Sequence, residues 1–224
     1  MTIKKPSEYE TLLETKGLIL PQHLELNWSG RGQHVQFLDT DDIPLEKIAH
    51  IDSSNSAAVD KVRCRRILLA RKVMRCTRRW TIKDALIEVE HLNRLRHAHI
   101  VQLVGSYVQK KTFAILLYPV ADCHLGTFLE ETSKMQKRLP PEALVNAKVA
   151  PGMHNNADLY VYMSRASAIA ASLSCCIHAL EYVHRQTTKH MDIKPRNILV
   201  KPVHPSLRYD TDPQWRIYLA DFGL

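Results

Sequence analysis

The chain of 224 residues carries 31 Lys and Arg against 23 Asp and Glu, a formal net charge of +8, and is 45% hydrophobic and 24% charged. That balance excludes a disordered or fibrous polymer, and the length suffices for one substantial core or two small ones. The basic start, Met1 to Glu10, runs into no apolar segment, and no stretch of about 18 apolar residues follows, so neither a secretory signal nor a membrane span is expected.

Residues 1–43 read as a polar leader of uncertain structure, with Gly30-Arg31-Gly32 inside it and Asp41-Asp42-Ile43-Pro44 opening a new unit. From Leu45 to Met74 short apolar runs alternate with polar turns, the pattern of a small antiparallel sheet, with Val62 and Ile67-Leu68-Leu69-Ala70 as its clearest strand pieces. Ten Lys or Arg residues fall between Lys61 and Lys83. Such a cluster can meet nucleic acid or an acidic membrane surface. Only Trp80 supplies an aromatic beside it, so a solvated strand face is the reading preferred and nucleic acid is not expected as a partner.

Thr81 and Asp84 have capping-box spacing, and Ile82, Ala85, Leu86, Val89, Leu92 and Leu95 then form one apolar helical stripe. Strands are expected at Ile100–Val104 and Phe113–Tyr118. Between Glu131 and Leu159 the breakers Pro140-Pro141, Pro151-Gly152 and Asn155-Asn156 mark a variable connection with room for a short helix. A second long helix follows, with Ala166, Ile169, Ala170, Leu173, Cys176, Ile177, Leu180 and Val183 as a broad apolar face. The order sheet, helix, sheet, helices is an α+β layout. Cys64, Cys76, Cys123, Cys175 and Cys176 make no C-x-x-C pair. Free thiols inside the cell, in cytoplasm or nucleus, are expected rather than zinc or disulfides.

The segment His190-Met191-Asp192-Ile193-Lys194-Pro195-Arg196-Asn197-Ile198-Leu199-Val200 is followed, one short hairpin later, by Leu219-Ala220-Asp221-Phe222-Gly223-Leu224. Together they resemble the catalytic loop H-R-D-L-x-x-x-N and the Asp-Phe-Gly motif of the eukaryotic-type protein kinase family, serine/threonine group. The resemblance covers Pro44 to Leu224. It implies a two-lobed α+β fold: residues 44–120 as a small lobe of antiparallel sheet with one major helix and a hinge, and 121–224 as a partial helical large lobe. It also implies ATP and Mg2+ as cofactors and a protein substrate with a Ser or Thr acceptor. Phosphoryl transfer needs an acceptor hydroxyl in line with the γ-phosphate and magnesium on the phosphate oxygens. By resemblance Asp192 takes the hydroxyl proton and Lys194 contacts phosphate. Asn197 and Asp221 supply oxygen ligands to magnesium.

Leu69-Ala70-Arg71-Lys72 resembles the V-A-I-K strand. Lys72 would then meet the α- and β-phosphates and pair with Glu88, which lies on the apolar stripe and needs a cation there. Leu116-Leu117-Tyr118-Pro119-Val120 resembles the last small-lobe strand and hinge, with Leu117 as gatekeeper and the Tyr118 carbonyl and Val120 amide placed for adenine. Val59 and Ala70 complete the ATP-contacting positions that the resemblance implies.

Three departures bear on activity. Asp52, Ser54 and Ala57 stand where the family's phosphate-covering loop has glycines, which predicts weakened ATP binding. Met191 replaces the arginine that grips a phosphorylated activation loop, and methionine makes no charge-assisted bond. The sequence stops at Leu224, before the activation segment, so a truncated form with little turnover is expected, with an apolar patch exposed on Met163–His184. The alternatives to a kinase are a pseudokinase-type module whose exposed large-lobe surface binds a protein partner, and a basic nucleic-acid-binding protein.

Overall fold

The computed structural model describes residues 6–54, 57–142, 157–203 and 214–222. It is an α+β protein that divides into two compact units. Of the described residues, the first unit takes those up to Arg96, Val101–Val120 and Phe222, and the second takes His97–Ile100 and Ala121–Asp221.

The first unit is built on a six-stranded sheet. Its strands are β1 (His34–Phe37), β2 (Glu46–Ser53), β3 (Ala57–Cys64), β4 (Ile67–Arg75), β5 (Gln102–Gln109) and β6 (Thr112–Tyr118), in the order β1-β5-β6-β4-β3-β2. Neighbours are antiparallel except β1, which runs parallel to β5. Side chains alternate between faces along each strand. On one face Leu69, Tyr107, Ala114 and Leu116 join Trp28, Val35, Phe37, Val62 and Cys64 in a core. The Trp28, Phe37 and Tyr107 rings stand with centroids 5.8–6.2 Å apart. On the other face lies helix α2 (Ile82–Arg94), whose Ala85, Leu86, Val89 and Leu92 are buried as its 3.6-residue periodicity requires.

The leader is a structured part of this unit. Helix α1 (Glu8–Thr15) starts in a capping box, with Ser7 Oγ accepting from the Glu10 N–H (3.1 Å) and the Ser7 N–H donating to Glu10 Oε2 (2.8 Å). It buries Tyr9 and Leu13. The chain then crosses to the opposite face, where the Trp28 indole donates to the Gln33 carbonyl (2.8 Å). A Cβ on Gly105 would collide with that carbonyl and with the indole, so only glycine allows β5 to approach the leader here. His34 Nδ1 lies 2.6 Å from Ser106 Oγ, and burial pushes its imidazole from 6.5 down to about 4.

The second unit joins helices α3 (Leu125–Arg138) and α4 (Ala157–Arg185) to a three-stranded sheet of β7 (Cys123–His124), β8 (Ile198–Val203) and β9 (Gln214–Leu219). Arg165 fastens α4 to α3. Its guanidinium donates to Thr132 Oγ1 (2.9 Å), the Phe128 carbonyl (3.0 Å) and Glu131 Oε2 (2.9 Å), and stacks 3.9 Å over the Phe128 ring.

One expectation needs correction here. The stretch from Glu131, read as a connection, is helical to Arg138 as the second half of α3; residues 143–156 lie outside the described residues, and Ala157 already begins α4. The buried line of α4 is Leu159, Arg165, Ser172, Ala179 and Val183, a heptad-like series, while Leu173 and Ile177, each 64% exposed, fall within the apolar patch expected on Met163–His184. Small and hydrogen-bonded residues let α4 pack closely against α3 and β9. By length and composition alone α4 could cross a membrane, which is weak evidence.

His34 makes stability pH-dependent. The unfolded imidazole takes a proton near pH 6.5 and the folded one only near 4, so this contribution is complete above about 6.5 and falls as pH drops toward about 4. Denaturant unfolding is expected to show the native chain losing about 3 kcal/mol more stability between pH 7 and 4 than a His34→Gln variant.

Candidate active site

In the first unit α2 is set by its start. Asp84 Oδ2 accepts from both the backbone N–H and the hydroxyl of Thr81, each at 2.7 Å. The helix then points Glu88, only 6% exposed, at the sheet among Ala85, Leu92 and Val89. A carboxylate so placed is unfavourable without a cation. Lys72 supplies it from β4: its Nζ lies 2.8 Å from Glu88 Oε1 and 2.9 Å from Oε2.

Val59 is the register partner of Lys72, and Ala70 that of Leu117. Tyr118, at the end of β6, is 45% exposed, while Leu117 and Val120 are buried. The β2–β3 hairpin is closed by its own polar groups. The Ser53 N–H donates to Asp52 Oδ1 (2.8 Å), the Ser54 N–H to the Ala57 carbonyl (2.8 Å) and the Ala57 N–H to Ser54 Oγ (3.1 Å). Among the described residues of this turn, the amides of Ser53, Ser54 and Ala57 are engaged within it rather than turned toward a phosphate.

The second unit gathers the other candidate residues. Lys194 Nζ donates to Asp192 Oδ2 (2.6 Å), and Asn197 Nδ2 donates to the Asp192 carbonyl and to Oδ2, both at 2.9 Å. A 3-10 turn, Pro195–Asn197, brings Asn197 back to this position. The Lys194 hydrogen bond is the main cause that holds the Asp192 carboxyl below its ordinary value, with Asn197 adding to it, so Asp192 is ionised at neutral pH. Asn197 keeps its amide oxygen as an acceptor, and Asp221 adds a half-buried carboxylate at a left-handed φ of 64°. These are hard oxygen donors of the kind magnesium takes. Among the described residues no three His, Cys, Asp or Glu gather into a metal cage, and a magnesium ion bound beside phosphates needs only one or two carboxylates.

His190 was given no role from sequence, yet it fixes the loop. Buried at 2% exposure, its Nε2 donates to the Ala220 carbonyl (2.9 Å), and the Ala220 N–H donates to the Asn197 carbonyl (2.9 Å). Burial lowers its pKa, so it is neutral at physiological pH. Met191, beside it, is 81% exposed at φ 60°. The basic cluster is partly absorbed: Arg63 pairs with Glu46 (3.0 Å), Arg71 with Asp60 (2.8 Å) and Lys72 with Glu88.

A family model described as "Protein kinase domain" matches residues 47–224, and the chain belongs to that family. Cyclin-dependent kinase 7 of Carassius auratus is 26% identical over 186 residues, covering 80% of this chain and 42% of that protein. Serine/threonine-protein kinase ULK3 of Homo sapiens is 27% identical over 144 residues, 64% of this chain and 22% of that protein. Cyclin-dependent kinase D-1 of Arabidopsis thaliana is 26% identical over 140 residues, covering 62% and 25%. The chain spans less than half the length of these relatives.

Replacing Glu88 by Ala removes the carboxylate that pairs with the half-buried Lys72 ammonium. Urea unfolding of Glu88→Ala is expected to show a loss of about 2–4 kcal/mol, well above that of an exposed pair such as Arg63–Glu46.

Proposed function

We propose that this protein transfers the γ-phosphate of ATP to a serine or threonine hydroxyl of a protein substrate, in the cytoplasm or nucleus. The observation that carries the reading is the bidentate Lys72–Glu88 pair, which presents an oriented ammonium on the strand that family members use for the nucleotide phosphates. Bound ATP and magnesium would supply the phosphoryl group and the charge that neutralises its oxygens. Lys72 orients the α- and β-phosphates, with Val59 and Ala70 against the nucleotide and the Tyr118 carbonyl and Val120 amide toward adenine. Asn197 and Asp221 would hold the metal. Asp192, kept ionised, accepts the proton of the substrate hydroxyl, and Lys194 swings from Asp192 to the transferring phosphate. Turnover is expected to be slow, because the described amides of the β2–β3 turn, those of Ser53, Ser54 and Ala57, are already engaged.

That same turn favours a second reading, a pseudokinase-type module. Its partner would be a protein that covers the apolar residues Met163, Leu173 and Ile177 exposed on α4. Single-turnover transfer from γ-labelled ATP to a generic acceptor protein separates the two. The kinase reading expects magnesium-dependent label on Ser or Thr that falls at least about a hundredfold in Asp192→Asn. Equal, background labelling by both folded proteins would leave the binding module standing instead.

A further inference from the structure

Residues 6–43 precede the segment matched by the kinase family, yet they grip the first unit from three sides. Strand β1 extends the sheet beside β5, and Trp28 covers one face. On the other face, beside α2, Tyr9 is 1% exposed, meets Phe113 edge-on at 6.1 Å and shares a 2.7 Å hydrogen bond with Ser106 Oγ. Helix α1 ends in a Schellman turn. The Leu18 N–H donates to the Leu13 carbonyl (2.9 Å), the Gly17 N–H to the Glu14 carbonyl (3.0 Å), and Gly17 takes a φ of +63°. The turn holds Lys16 over α2, where its Nζ lies 2.8 Å from Glu90 Oε2, both side chains being largely shielded at 20% and 25% exposure. That hydrogen bond is the first cause that keeps the Glu90 carboxyl below its usual range.

Glu90 is two residues from Glu88. At 3.6 residues per turn the two carboxylates leave α2 about 200° apart, so Lys72 and Lys16 hold the helix from nearly opposite sides. An apolar stripe tolerates small rotation or sliding of a helix, whereas two directional ion pairs on opposite sides do not. We propose that the leader is a built-in brace for α2: by the Lys16–Glu90 contact it holds the helix in the rotation that delivers Glu88 to Lys72, making Lys16 and Glu90 positioning residues. Its consequence for catalysis rests on reading Lys72 as the ATP-contacting lysine, but the brace itself does not.

The test uses the full chain and needs no activity. Labelling of Lys72 by an amine-reactive reagent, followed by peptide mass spectrometry, reports release from Glu88; amide exchange across α2 reports its mobility. In Lys16→Met, Lys72 labelling is expected to rise about fivefold with faster α2 exchange, while β3–β4 amides keep their rates. Glu90 also accepts from Arg94 on its own helix (2.6 Å), so the rescue is made at Lys16: the conservative Lys16→Arg variant is expected to return both readouts to wild type. Lys72 labelling unchanged in Lys16→Met, or Lys16→Arg as reactive as Lys16→Met, would overturn the brace. MgATP binding on the same samples tests the kinase reading separately, since a chain that binds no nucleotide still reports through Lys72 labelling.

Discussion

Burying Glu88 on the inner face of α2 is tolerable only because Lys72 Nζ stands within 2.9 Å of both its oxygens. The constraint works in both directions. The carboxylate fixes the rotation of α2 against β4, and the ammonium is held in one place rather than swept through the rotamers of a free lysine. Much else in the first unit follows from it. The strand must alternate so that Lys72 faces the helix while Val73 packs into the opposite core, and the helix, capped by Thr81, must start at Ile82 so that its fourth and seventh residues, Ala85 and Glu88, face inward.

The second unit achieves a comparable order by hydrogen bonds on a loop. Asp192 is positioned by Lys194 and Asn197, and the Ala220 backbone by His190, so the polar groups most exposed to solvent rest on a buried imidazole. Fold membership comes from the family match over residues 47–224, while catalysis, cofactors and substrate are proposals built on these placements.

Much of this was legible in the sequence where one periodicity sufficed. The α2 stripe placed Glu88 inward, because it depends on neighbours within one element, while Lys72 came from the resemblance of Leu69-Ala70-Arg71-Lys72 to the V-A-I-K strand. The leader was not legible. Its anchors, Tyr9 to Ser106 and Lys16 to Glu90, join residues 97 and 74 positions apart, and no local pattern announces such partners. The Ser7–Glu10 capping box was the local signal available for α1. Helix α3 was overlooked because only Phe128 and Thr132 are buried along it, too few for a clear stripe, and the nearby Pro140-Pro141 drew the whole stretch into a loop. In α4 the exposed Leu173 and Ile177 fall within the patch expected on Met163–His184, whereas the burial of Arg165 and Ser172 depends on α3 and was not legible from apolar content. The absence of glycine in the β2–β3 turn was plain from sequence; that its side chains engage the turn's own amides was not.

The most direct measurement is equilibrium titration of the folded chain with MgATP, followed by calorimetry, for the native protein and Lys72→Met. The account expects saturable, magnesium-dependent binding, weak because of the closed turn, that is weakened at least about tenfold in Lys72→Met. No saturation at millimolar nucleotide by a chain that melts cooperatively, or equal binding by Lys72→Met, would contradict it.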